Sequence, residues 1–283
     1  MLVGSDASVM EDLQSYGRPF FGRASKMTVH PLNPADVRAM TELDAAGAVD
    51  AQLITGGFPE IVQSWRPGMD RTEFLRASVA NPRSPLLVAG ELSLLGEFPE
   101  ASHSRAVLEA VGSGERTFSA IAAQAGGASA LPAGTLSPLL AMLQAKRVRA
   151  ADLPLSVKPD SKNKRYRIAD PYLRFWPAFL ARAIPLIERG RGDLALERIE
   201  RSWTTWRGRA VEPLIRESLL RLMPSAEWSE TEAIGGWWNR KNNPEIDLIG
   251  TDREPTARRV HFVGSEDLVR AWQPAQSRPT ANA

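Results

Sequence analysis

Cysteine is absent from the 283-residue chain, which removes disulfides, thiolate nucleophiles and thiolate zinc sites from consideration. The three histidines, His30, His103 and His261, are scattered without the spacing of a metal site. No Gly-Lys dipeptide occurs anywhere. A phosphate loop of the form G-x-x-x-x-G-K-[ST] requires one, because its Lys and backbone N–H groups together wrap the phosphates. Nor does any apolar strand end in the paired acids that would hold magnesium beside such a loop. No apolar run approaches the ~18 residues of a membrane span, and the N-terminus lacks a basic region followed by an apolar core and cleavage site. These absences lead us to expect a cytoplasmic protein with no membrane partner. They also leave no Ser-His-Asp arrangement, nucleophile elbow or paired His on one helix face to support hydrolytic catalysis.

What is present suits a folded chain. Hydrophobic residues make up 43% and charged residues 24%, enough for two or three modest cores. The formal net charge of +2 conceals an uneven distribution, since residues 102–182 hold 12 Lys or Arg against 5 Asp or Glu. A local basic surplus is the electrostatic footprint of a nucleic-acid contact, or of a loop facing an acidic partner.

That basic stretch reads as a winged helix. Ser102 caps a first helix that stops at Gly112-Ser113-Gly114. Thr117 caps a second, closed by Gly126-Gly127, and a third runs from about Pro132 to Lys146 with Leu136, Leu139, Leu140 and Leu143 on one face. Val148–Asp152 and Arg165–Ile168 are strand candidates, with the wing, Leu153–Lys164, between them. Nucleic acid, if bound, is expected on Lys146, Arg147, Arg149, Lys158, Lys162, Lys164 and Arg165.

The string Arg165-Tyr166-Arg167-Ile168-Ala169-Asp170-Pro171-Tyr172-Leu173-Arg174-Phe175-Trp176 carries a family resemblance. So do Thr55-Gly56-Gly57-Phe58-Pro59-Glu60 and Gly235-Gly236-Trp237-Trp238 followed by Pro244-Glu245-Ile246-Asp247-Leu248-Ile249. Over about residues 1–270 the chain resembles the C-terminal portion of prokaryotic AAA-type ATPases of the archaeal ATPase family, which end in a restriction-endonuclease-like domain of unknown function. The resemblance implies a mainly α fold with α/β parts. Residues 1–32 would be a remnant of the nucleotide-binding core, holding its sensor strand and turn, and 33–96 a helical lid. The winged helix would span 97–182 and a degenerate nuclease-like α/β domain 183–270, leaving 271–283 as a disordered tail. It also implies that the phosphate loop lies upstream of Met1, that Arg23 is a candidate nucleotide sensor, and that ATP and magnesium belong to a full-length relative. No cofactor is expected in this chain.

Along the chain, Asn33 is expected to cap a helix from Ala35 to about Asp44, and helices to run over Arg71–Val79 and Leu86–Leu95. Gly56-Gly57 can cradle phosphate or connect helices, and without a following Lys the connection is favoured. A longer helix begins at Asp193. Its apolar face takes in Trp203, Trp206, Ala210, Val211, Leu214, Ile215, Leu219 and Leu222. Short strands are expected at Glu227–Ile234, Glu245–Ile249 and Arg259–Val263.

A nuclease of the resembled kind holds magnesium with a helix carboxylate, a strand Asp and a Glu-x-Lys. Glu212 and Asp247 fill the first two places. Gly264-Ser265-Glu266-Asp267 breaks the third, with Ser265 at the carboxylate position and Asp267 at the lysine. The sequence therefore favours an ATPase-like chain that binds DNA or a protein partner, itself included, over one that catalyses. The alternatives are a winged-helix transcription regulator and a magnesium-dependent nuclease.

Overall fold

In the computed structural model the described residues are 12–18, 20–23, 25, 27, 29–97, 102–114, 117–145, 148–156, 163–223, 225, 227–239, 245–254 and 256–264. Asn33 accepts the N–H groups of Ala35 and Asp36, and Asp36 accepts the Asn33 N–H in return. This capping box opens helix α1 (Pro34–Thr41). Glu42 then turns left-handed at φ 59°, and Asp44 accepts the Gly47 N–H to start α2 (Ala45–Thr55). The helix expected from Ala35 to about Asp44 is therefore shorter, because Asp44 begins the next helix rather than ending the first.

Proline at the first position starts α3 (Pro59–Gln63), and a capping box between Asp70 and Glu73 starts α4 (Arg71–Val79). Helices α5 (Pro85–Glu97), α6 (Ser102–Gly112), α7 (Phe118–Gly126) and α8 (Ala133–Ala145) follow. Thr117 caps α7 by accepting the Ala120 N–H. Strands β1 (Arg149–Asp152) and β2 (Arg165–Ile168) form an antiparallel pair. The short α9 (Pro171–Phe175) passes into a π-helical turn, Trp176–Leu180, then α10 (Ile184–Glu188) and the long α11 (Gly192–Arg221). Strands β3 (Ala233–Trp238), β4 (Glu245–Thr251) and β5 (Val260–Gly264) make an antiparallel sheet in that order. The fold is thus mixed α and β, mostly helical, with small antiparallel sheets.

One hydrophobic core runs from Val37 on α1 to Trp203 on α11, and the aromatic α9 lies inside it. Tyr172 and Trp176 are fully buried, so their polar tips need partners. The Tyr172 hydroxyl donates to the Leu86 carbonyl at 3.0 Å and the Trp176 indole N–H to the Leu87 carbonyl at 3.0 Å, both in the first turn of α5. Gly90, one turn on, is the only residue type that fits there, since a Cβ would stand 2.3 Å from the Trp176 ring. Because this core is continuous, the packing does not divide at 97 or 183. The two units are Met1–Asp152 with Arg165–Val211, and Leu153–Lys164 with Glu212–Ala283.

The second unit corrects several expectations. The first strand lies at Ala233–Trp238 rather than Glu227–Ile234, and ahead of it the Trp228 N–H donates to the Ser225 carbonyl and the Thr231 N–H to the Trp228 carbonyl, as turns do. Gly235 sits inside the strand, where a Cβ would come within 2.8 Å of the Leu155 side chain. The segment expected as a wing starts on this sheet. The Leu155 N–H donates to Gly236, the Ala257 N–H to Ser156, and the Trp238 indole to the Asn163 carbonyl at its other end. The apolar face of α11 also fades after Val211, leaving Leu220 40% exposed and Leu222, just past the helix end, 65% exposed.

Gly57 provides a test of the packing. Its φ is 74°, and a Cβ would fall 2.0 Å from the Leu32 carbonyl oxygen. Gly68, at φ 84°, has open space around it. Gly57→Ala is expected to cost roughly 2–4 kcal/mol in urea denaturation and Gly68→Ala about 1 kcal/mol.

Candidate functional site

The glycine pair Gly56-Gly57 is the first candidate. The Gly56 N–H donates to the Gln52 carbonyl and the Phe58 N–H to the Thr55 carbonyl, while the Gly57 N–H reaches the Thr55 hydroxyl. All three amides a phosphate would need are therefore committed within the chain. Asp170 stands beside them, with its Oδ1 3.2 Å from the Cβ position of Gly56, so an anion would also meet a carboxyl group there. The pair connects α2 to α3 and lets β2's successor, Tyr172, approach closely. Arg23 lies exposed on a turn closed by its own N–H to Phe20.

Asp170 caps α9 by accepting the Leu173 N–H at 2.9 Å. Burial pushes its carboxyl up from 3.8 to about 6, against the pull of the Leu173 and Tyr172 N–H groups and the Arg174 charge. Arg174 itself donates to the Ile168 and Ala210 carbonyls.

The nuclease-like positions lie in the second unit. The Glu212 carboxylate accepts from Arg216 Nη2 at 3.2 Å, one helical turn along α11, and both side chains are largely buried. Arg216 Nε and Nη2 also donate to the backbone carbonyl of Asp247 on β4, at 3.2 and 2.9 Å. Gly236 makes room for this, because a Cβ there would lie 2.7 Å from Arg216 Nη2. The Arg216 guanidinium thus joins the helix acid Glu212 to the β4 backbone. Among the described residues no cluster of three or more His, Asp or Glu could hold a metal. Ser265 and Asp267 lie outside the described residues. His261 is in a hydrogen bond with Thr231, Nδ1 to Oγ1 at 2.9 Å.

Of the basic set, Lys146, Arg147, Lys158 and Lys162 lie outside the described residues, as does the side chain of Arg149 on β1. Lys164 is half-buried. Arg165 is only 7% exposed and sits opposite Asp152 across the hairpin, so it leaves the set that could reach a phosphate backbone. Helix α8 buries Leu136, Leu140 and Leu143 and shows Gly134, Ser137, Pro138 and Ala141 to solvent. It carries no charged side chain to read a base edge or bind phosphate.

Residues 176–263 match the model of the DUF234 family, described as "Archaea bacterial proteins of unknown function". The chain is also 24% identical over 253 residues to "Uncharacterized protein MJECL04" of Methanocaldococcus jannaschii, an alignment covering 88% of this chain and 55% of that protein. It thus spans about half the length of the curated relative it matches. No solved structure matches.

The matched stretch contains Glu212, Arg216 and Asp247. Arg216 is not among the residues that the motifs single out, although its i, i+4 spacing from Glu212 is a signal for the pair. Asp170 was equally readable as a cap, an acid placed directly before a proline at the first helical position.

Two measurements probe these groups. Arg216→Ala would leave the largely buried Glu212 and the Asp247 carbonyl without this donor, at a cost of about 2 kcal/mol or more in thermal or urea unfolding. Glu212→Gln with Arg216→Met should recover part of it. For Asp170, the folded chain holds the proton more tightly than the unfolded chain, so its contribution is full below pH ~4 and lost as pH rises through about 6. Asp170→Asn keeps the cap oxygen and removes this dependence. Relative to that variant, the parent should lose up to about 3 kcal/mol between pH 4 and pH 7.

Proposed function

We propose that the chain is a non-catalytic, partner-binding module related to the AAA-type ATPases. In this reading α1–α5 represent the helical lid, α6–β2 a winged helix, and the sheet of the second unit a degenerate nuclease-like domain. The observation that carries it is Arg216, whose guanidinium pairs with Glu212, the helix acid of the nuclease pattern, and bonds the Asp247 backbone. The committed amides of Gly56-Phe58 support it for nucleotide, since charge-assisted contacts from a Lys and a glycine loop supply most phosphate affinity. Turnover, where a longer relative has it, would reside in chain beyond the aligned half.

A second reading, DNA binding through the winged helix, is favoured by the basic surplus of residues 102–182. The uncharged outer face of α8 argues that such binding would be to backbone and without sequence preference. A regulator that reads a specific operator is disfavoured on the same ground.

Purified protein titrated with magnesium-ATP should give no heat of binding, and incubation with plasmid DNA in magnesium or manganese should give no cleavage. A micromolar ATP dissociation constant, or cleavage abolished by Asp247→Ala, would overturn the proposal. A gel shift that weakens steeply with salt and with Lys164→Glu would select DNA as the partner. Its absence would select protein.

A further inference from the structure

Helix α11 continues from Gly192 to Arg221 with Pro213 inside it. Proline has no N–H to give the Arg209 carbonyl four residues back, and its ring crowds that carbonyl, so the helical ladder loses a bond at this turn. The packing of the chain divides at the same place, between Val211 and Glu212. The other two chain crossings lie between Asp152 and Leu153 and between Lys164 and Arg165. Asp152 and Arg165 face each other across the β1–β2 hairpin. All three crossings therefore occur at two places, the mouth of the hairpin and one weakened helical turn.

Arg174 joins those two places within the first unit. Its Nη1 donates to the Ala210 carbonyl at 2.9 Å, one residue before the helical boundary begins at Val211. Its Nη2 donates to the carbonyl of Ile168, the last residue of β2, at 2.8 Å. The Asp152–Arg167 ion pair, at 2.8 Å, closes the hairpin mouth beside it. A planar guanidinium bonded to two carbonyls holds them at a fixed separation, which a Lys ammonium on a flexible stem does not. The Ala210 carbonyl lies next to the one that Pro213 leaves without its helical donor, so the guanidinium braces the helix at its weakest turn.

We propose that residues 209–213 form a hinge in α11 and that Arg174 is the pin that sets its stiffness. The first part of α11, packed through Ala195, Ile199 and Trp203, is fixed in the core. The part after Pro213 turns with the second unit. Arg174 limits that turning by holding the last turn before the proline to the end of β2.

The absence of cysteine makes the test direct, because spin labels can be placed on two introduced cysteines. Arg198 and Glu217 are exposed and flank the hinge, at about 28 Å along a straight helix. Asp193 and Thr205 are exposed on the near side, at about 18 Å, and serve as control. Double electron–electron resonance on the Arg198→Cys/Glu217→Cys chain should give a broader distance distribution than the control pair. Pro213→Ala should narrow it to the control width, and Arg174→Met should broaden it further while leaving the control pair unchanged. Where Arg174→Met also broadens the control, Arg174→Lys is read in its place. A spanning pair no broader than the control, or one whose width is unchanged by either the Pro213 or the Arg174 substitution, overturns the proposal.

Discussion

The first unit depends on one constraint, that two large aromatic side chains with polar tips are buried completely. Tyr172 and Trp176 fill the middle of the core, and each must give its single donor to something inside. Consecutive carbonyls at the start of α5 accept both. The distance of α9 from α5 follows from these bonds. So does the glycine at position 90, which clears the face of the indole. Gly56 clears the other side, where its Cβ would have met the Tyr172 side chain. Residues that local sequence would assign to different domains are thereby drawn into one core.

Local signals in the sequence were legible where a single turn decides the outcome. Asn33, Asp44, Asp70, Thr117 and Asp170 all cap helices, and each is a residue type that does so by its own chemistry. The starts of α4 and α7 were readable for that reason. Glu42 was not, since an acidic residue in the left-handed region leaves no mark in composition. Gly235 and Gly236 read as strand breakers, yet they lie within β3 because Leu155 and Arg216, distant in sequence, press against them. Close approach of that kind is a tertiary fact with no local signature.

The candidate site shows the same division. Glu212 and Asp247 could be placed on a helix and a strand from their neighbours, and the structure puts them there. Their meaning depends on Arg216, whose spacing was visible but whose second contact, to the backbone of β4, was not. A carboxylate beside a guanidinium and one beside a metal look alike in sequence. They differ in which charge the protein itself supplies, and only the fold decides that. Arg165 makes the related point for the basic stretch, where a cation counted toward an outward-facing surface is in fact turned inward.

The loop between β1 and β2 has a consequence for where this protein can be cut. The family match begins at Trp176, well after Leu155, whose side chain covers Gly235 and whose N–H is bonded to Gly236. A fragment drawn on the match would expose bare glycine backbone along one side of β3, where a leucine from an earlier part of the chain now shields it. At the other end it would carry the first half of α11 with its tryptophan side stripped of α9. A piece that keeps these two surfaces covered therefore has to begin before the hairpin.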